Sequence, residues 1–86
     1  TKSVALEYAR QGIRVNAVSP AAIRTDMYER FTGSNSDNQA AFAAMHPVGR
    51  VGEPREVSEP VLFLASDAAS FITGHNLNVD GGYTVP

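Results

Sequence analysis

Ile13-Arg14-Val15-Asn16-Ala17-Val18-Ser19-Pro20 is the stretch that decides the fold. Residues 13–18 are rich in β-branched side chains and too few for a stable helix, and Ser19-Pro20 ends the run because proline has no N–H to give a ladder. The segment is expected to be a buried strand. Asn16 lies inside it, and a polar side chain in such a strand requires partners for its amide.

Upstream, Val4, Ala5, Tyr8 and Ala9 fall on one face of a helix over residues 1–11, with Lys2, Glu7 and Arg10 off that face. Gly12 supplies the left-handed stop. No capping residue precedes Thr1 and the sequence does not open on Met, so the expectation is a truncated chain that begins inside a longer helix. Downstream, Thr25-Asp26 with Glu29 three residues on signals a short helix to about Arg30. The polar run over residues 32–38 is expected to be a mobile surface loop, and Ala-rich residues 39–45 a second helix stopped by His46-Pro47.

Residues 48–53 read as a turn. Pro54 suits the first position of a helix to about Ser66, with Val57, Val61, Leu64 and Ala65 as its buried stripe. Pro60 would break an intrahelical bond, so a kink is expected there with Ser58 capping a restarted second half. Asp67 is expected to cap a single turn through Ser70 that Gly74 ends. Leu77 and Val79 alternate with Asn76, Asn78 and Asp80 as a final strand, and Asp80-Gly81-Gly82 turns the chain into a tail from Tyr83 to Pro86. The order helix, strand, helical excursion, helix, strand is the closing half of a parallel α/β sheet with right-handed crossovers. Two short strands are an inadequate sheet alone, which implies a further sheet partner.

Composition limits the partners. At 86 residues, 43% hydrophobic and 19% charged, the chain has the proportions of at most one globular domain. Seven basic against nine acidic side chains, without a run of like charge, leave no electrostatic footprint for nucleic acid or an anionic membrane. No apolar stretch approaches the roughly 20 residues of a membrane span, and no signal core opens the chain. With no cysteine, and with His46 and His75 far apart, neither a disulfide nor a metal site is expected.

Three stretches at matching spacing resemble the short-chain dehydrogenase/reductase family. They are Ile13-Arg14-Val15-Asn16-Ala17-Val18-Ser19-Pro20 with Thr25 five positions after the proline; Gly49-Arg50-Val51-Gly52-Glu53-Pro54 leading into Glu56-Val57; and Leu62-Phe63-Leu64-Ala65-Ser66 through Ser70, Gly74 and Val79-Asp80-Gly81-Gly82. Together they cover nearly the whole chain. The resemblance implies an α/β fold, the C-terminal part of a Rossmann-like doubly wound parallel sheet with about two strands plus helices. Residues 1–86 would be one such C-terminal portion of a single oxidoreductase domain, with residues 26–45 as a substrate lid inside it.

The resemblance also implies chemistry: an NAD- or NADP-dependent hydride transfer to or from an alcohol or ketone, in a cytoplasmic homo-oligomer, a tetramer, assembled through the last helix, final strand and tail. Ligands of open parallel sheets bind beyond the carboxyl ends of the strands, and the matching cofactor-binding positions are Pro20, Ala21, Ile23 and Thr25. Ile23 would offer backbone groups to the nicotinamide carboxamide, and Thr25 its hydroxyl to the carboxamide or a phosphate. Taken without the resemblance, Thr25 caps the helix beginning at Asp26; both roles are compatible. Met27, Tyr28 and Phe31, with Phe42 and Met45, would form the lid or else pack on one another and on the core.

Two departures stand out: Ala21 where the family usually has glycine, which restricts the backbone and crowds a close approach, and Pro60 in a helix that is usually uninterrupted. The family's tyrosine acid/base and the lysine four residues later are missing. Gly12 follows Tyr8 at that spacing, Thr32 follows Tyr28, and Tyr83 is too near the end. No glycine-rich turn joins a strand to a helix. No catalytic residue is therefore assigned, His46 and His75 are read as structural, and the chain alone is expected to be inactive. The competing expectation is a truncated, non-enzymatic α/β module for binding or assembly. Arg50 and Asp80 are expected to form an ion pair holding the C-terminal segment.

Overall fold

The computed structural model describes residues 1–85. In chain order the elements are α1 (Lys2–Tyr8) with a 3-10 turn at Ala9–Gln11, β1 (Ala17–Pro20), α2 (Asp26–Thr32), α3 (Ser36–Ala44), α4 (Arg55–Ala65), a second 3-10 turn at Asp67–Ala69, and β2 (Asn76–Val79). The strands pair in parallel, from Ala17 opposite Asn76 to Pro20 opposite Val79. This is an α/β fold with a small open parallel sheet flanked by helices, an arrangement that forms part of a Rossmann fold.

The first strand is shorter than expected and shifted toward Pro20, which it includes. Ala17 N–H donates to the His75 carbonyl (2.9 Å) and Ala21 N–H to the Val79 carbonyl (3.3 Å). The residues that donate toward β2 are therefore odd-numbered, and the nitrogen of Pro20, out of phase, faces the open edge where no ladder bond is demanded. Residues 13–16 are held by side chains instead. Thr73 Oγ1 accepts Val15 N–H (3.1 Å), Asn16 Nδ2 donates to the Ile72 carbonyl (3.0 Å), and Asn16 Oδ1 accepts His75 N–H (3.0 Å). The partners that Asn16 requires come from the segment just before β2.

Arg14, a residue without an expected role, ties that same segment to α4. Its Nη1 donates to the carbonyls of Leu64 (2.7 Å) and Ile72 (3.3 Å), and its Nη2 to that of Ser66 (3.2 Å). A guanidinium thus satisfies carbonyls that the end of α4 leaves without an intrahelical partner.

Several helix expectations change in detail. The regular part of α1 closes at Tyr8 and the 3-10 turn runs on to Gly12, whose φ of 76° is the expected left-handed stop. α2 continues to Thr32, because that hydroxyl bonds back to the Tyr28 carbonyl at 3.0 Å. The supposed loop over residues 32–38 shrinks to Gly33, Ser34 and Asn35, since Asn35 Oδ1 caps α3 by accepting the N–H groups of Asp37 (2.8 Å) and Asn38 (3.0 Å).

Pro54 stands one position before the helix rather than within it, and α4 runs unbroken through Pro60. Ser58 caps nothing and turns its hydroxyl back to the Arg55 carbonyl (3.3 Å). Pro60, sixth in the helix, deprives only the Glu56 carbonyl of its usual donor. Asp67 does not cap the turn that follows; Ser66 precedes that turn in extended conformation with no side-chain cap bond. Pro86, the last residue of the expected tail, lies outside the described residues.

Burial is sparse. Among the described residues the buried apolar side chains are Ala5, Tyr28, Val51, Leu64 and Ala69. Of the expected α1 stripe only Ala5 is covered, and of the α4 stripe only Leu64; Val4, Val61 and Ala65 are exposed. The radius of gyration, 15.7 Å, exceeds the about 12 Å of a compact chain this long. The helices present their apolar faces, but little in these residues packs against them.

Candidate functional site

The carboxyl ends of β1 and β2 lead into one cleft of about 230 Å³, bounded by Ala22 and Ile23 after β1, by Val79, Asp80 and Gly81 at the end of β2, and by His46, Val48, Arg50, Gly52 and Glu56 between them. Its position matches the general rule for ligands of open parallel sheets.

Residues 21–24 are fixed to it by backbone bonds. Gly52 N–H donates to the Ala22 carbonyl (3.0 Å), and Arg24 N–H donates to the Gly52 carbonyl (2.8 Å), a parallel bridge centred on Ile23 and Gly52. Backbone groups alternate along an extended segment, so the N–H and C=O of Ile23 point away from Gly52. Neither makes a protein hydrogen bond among the described residues. A Cβ at Gly52 would stand 2.8 Å from Ile23 Cδ1, so that side-chain end would have to turn aside.

Ala21 takes no left-handed conformation, Ser34 being the only non-glycine with positive φ among the described residues, so replacing the usual glycine brings no backbone strain. Thr25 Oγ1 accepts Tyr28 N–H (3.3 Å) and caps α2. A hydroxyl that accepts in this way keeps its own proton to donate. Of the four positions expected at a cofactor, only Ile23 lines the cleft, whereas Pro20, Ala21 and Thr25 belong to the same strand end and loop without lining it.

His46 is a buried structural histidine. Its Nδ1 lies 2.7 Å from the Phe42 carbonyl and its Nε2 accepts Ala22 N–H at 3.4 Å. A carbonyl can only accept, so Nδ1 carries the proton and both ring nitrogens are occupied. The Tyr83 ring lies 5.8 Å away.

The expected Arg50–Asp80 pair does not form. Arg50 instead grips Glu56 with both terminal nitrogens, at 2.7 and 2.8 Å, while Asp80 accepts from the Thr84 hydroxyl (2.7 Å) and from Gly82 N–H (3.0 Å). The bidentate geometry and the nearby carboxylate on α4 decide the choice of partner. The Arg50 hydrogen bonds, followed by the Glu53 amide (2.9 Å), lower the Glu56 carboxyl to about 2. The same contact raises the Arg50 guanidinium, and the Thr84 hydroxyl, ahead of the amides of Gly82 and Thr84, keeps Asp80 below the usual carboxylate range. Glu56 was missed as a partner although the signal was present: a carboxylate three residues after Glu53 at the start of an apolar helix has capping-box spacing.

The expected lid divides in two. Tyr28 is buried and meets Phe42 edge to face, with ring centres 5.9 Å apart, while Met27 and Phe31 are 74% and 77% exposed. Phe31 also meets Phe42 edge to face, at 5.7 Å. The lysine needed beside a catalytic tyrosine is absent here: Lys2, the only lysine, precedes every tyrosine. Among the described residues no helix is long and apolar enough to cross a membrane, and no group of three or more His, Asp or Glu side chains could hold a metal ion.

The family model described as enoyl-(acyl carrier protein) reductase matches residues 1–84. A cis-4-hydroxycyclohexanecarboxylate dehydrogenase of Sinomonas cyclohexanicum is 51% identical over 84 residues, 98% of this chain and 32% of its own. The crystal structure of a short chain dehydrogenase family protein from Francisella tularensis subsp. tularensis SCHU S4 superposes over 100% of this chain and 39% of its own, with 36% identity and a TM-score of 0.92. ElxO with NADP bound superposes over 100% of this chain and 35% of its own, with 38% identity and a TM-score of 0.88. The chain spans about a third of the length of these relatives. Matched by the family model over residues 1–84 and superposing over its whole length on a short chain dehydrogenase family protein, the chain belongs to the short-chain dehydrogenase/reductase family.

Proposed function

We propose that these 86 residues are a non-catalytic α/β piece of an NAD(P)-dependent short-chain oxidoreductase, one that holds the nicotinamide end of the cofactor beside a small alcohol or ketone. The observation that carries this reading is the backbone of Ile23, whose N–H and C=O are turned from Gly52 and unpaired among the described residues. A planar carboxamide needs one donor and one acceptor held in place, which Ile23 offers on a single residue; the Thr25 hydroxyl proton is a second donor. When bound, the dinucleotide supplies the hydride acceptor or donor. The residues here bind and orient, and none of them forms the tyrosine and lysine pair that would move the substrate proton. Met27 and Phe31, exposed on α2, serve as the part of the lid that excludes water. Assembly into a homo-oligomer, a tetramer, uses the exposed Val61, Leu62 and Phe63 of α4.

Two preparations test this. The chain alone, with NAD or NADP and a panel of secondary alcohols, should show no cofactor reduction; turnover above the blank would refute the non-catalytic reading. A chimera in which residues 1–84 replace the matching third of the Sinomonas dehydrogenase should turn over. In it, Thr25→Asp keeps an acceptor for the cap but loses the donated proton. Its melting temperature should hold while the cofactor KM rises roughly tenfold, the equivalent of one hydrogen bond. An unchanged KM would remove Thr25 from the cofactor site.

A further inference from the structure

His46 stands where three segments meet, and the inference drawn from it rests on the functional reading above. It is 5% exposed and follows α3, to which its own N–H returns by donating to the Ala43 carbonyl (3.2 Å). Nδ1 of the ring donates to the Phe42 carbonyl of that helix at 2.7 Å, and Nε2 accepts the N–H of Ala22, in the loop after β1, at 3.4 Å. The third segment is the turn after β2: a Cβ on Gly81 would lie 3.6 Å from His46 Cβ, and the Tyr83 ring is centred 5.8 Å from the imidazole. The chain itself supplies the burial and both hydrogen bonds. The helical excursion that leaves this loop at Asp26 therefore comes back to it at His46, 24 residues after Ala22, and is clasped there by one side chain.

We propose that His46 is a positioning residue: as a neutral imidazole with its proton on Nδ1 it fastens Ala22 and so sets the Ile23 backbone for the cofactor, and it releases Ala22 on taking a second proton from solvent. The Ala22 peptide group is held from both ends, its carbonyl by Gly52 N–H and its own N–H by His46, and Ile23 is the next residue along. A protonated imidazole has N–H on both nitrogens and nothing left to accept with. Ala22 N–H would then face another donor, both of them buried without a partner, and the loop would stay pinned only through Gly52. Histidine is the side chain that ordinarily gains such a proton between pH 8 and 5. The charged groups on the surrounding elements are Asp80 after β2, and Arg50 and Glu56 across the cleft, which grip each other. None of them forms an ion pair with His46 among the described residues, so the hydrogen bonds to Phe42 and Ala22 decide which form of the ring the fold accepts.

Binding of NADH and of NADPH to the chimera is followed by cofactor fluorescence at about pH 8 and about pH 6. The dinucleotide that binds should weaken roughly fivefold at the lower pH, the equivalent of one hydrogen bond. His46→Gln places an amide oxygen within reach of Ala22 N–H and takes no proton, so it should bind within about twofold of the unsubstituted chimera at the higher pH and lose most of the pH dependence. His46→Phe keeps a ring but accepts nothing, and should bind roughly fivefold more weakly at both pH values. A pH profile that His46→Gln leaves unchanged, or His46→Phe that binds as the unsubstituted chimera does at the higher pH, overturns the inference. Imidazole 1H–15N couplings give a readout that needs neither variant to fold: in the unsubstituted chimera at about pH 8 they should place the His46 proton on Nδ1, and a proton on Nε2 overturns the inference. A chimera that binds neither dinucleotide while that proton stays on Nδ1 overturns instead the functional reading beneath it.

Discussion

The two strands with the segments that lead into them and the outer faces of α1 and α4 both carry apolar sequence, yet only the first region is closed. Around β1, β2 and residues 21–24, side chains and backbone reach across fifty or more residues to satisfy one another: Arg14 at the end of α4, Asn16 beside Ile72 and His75. On the helices, Val4 and Val61 remain 44% and 45% exposed although both belong to the expected buried stripes. The difference teaches that apolar periodicity states what an element can bury, while coverage depends on a second surface. Polar groups at the entry to a sheet are more exacting, since each needs a specific partner at hydrogen-bond distance.

The sharpest way to break this contrast is Arg14→Ala. It removes three hydrogen bonds from a charged donor to half-buried carbonyls and should lower the unfolding free energy by about 2–3 kcal/mol, read by urea denaturation; a loss under 1 kcal/mol would mean that water replaces the guanidinium. Asn16→Ala comes next at about 1–2 kcal/mol, because it leaves His75 N–H without a partner and the Ile72 carbonyl with Arg14 alone, and loss of amide protection at His75 should accompany it. Asn35→Ala, which deletes the α3 cap, should cost about 1 kcal/mol, with fraying confined to the first turn of that helix in hydrogen exchange.

The surface pair contributes less. Glu56 is ordinarily near 4.5 and is lowered to about 2, so the stability it lends is present above pH 4.5 and lost as pH falls toward 2. Carboxyl NMR should show that midpoint, Arg50→Ala should move it back toward 4.5, and high salt should weaken the effect. At the far end, Leu62→Gln on the uncovered face should change the stability of the chain by no more than about 0.5 kcal/mol. A loss of 2 kcal/mol there would show that this face is covered after all.

Much of the architecture was legible from local chemistry. Thr25, Gly12 and His46-Pro47 mark helix boundaries by capping and steric rules that need no distant partner, and the two strands were visible in their β-branched and alternating residues. What was not legible depends on phase and distance. Pro20 belongs to β1 because its nitrogen falls on the unpaired side, a fact set by the register with β2 and absent from the proline itself. Arg14 looks like any polar residue in a strand until α4 ends beside it fifty residues later. Asn35 was readable as a cap, but it sits in a polar run whose composition also describes a loop. The site divides similarly. Ile23 and Thr25 were named through a family resemblance, while the Arg50 partner was assigned to Asp80 when Glu56, only six residues on, had the better geometry.

The bridge between Ile23 and Gly52 has a mechanical consequence. It fastens the loop after β1 to the segment immediately before α4, so these two stretches, about thirty residues apart in sequence, are coupled directly through two backbone hydrogen bonds. Occupancy at Ile23 should be felt as slower amide exchange at Gly52 and Arg24 together, and a displacement of the start of α4 should reach the loop without crossing α2 or α3.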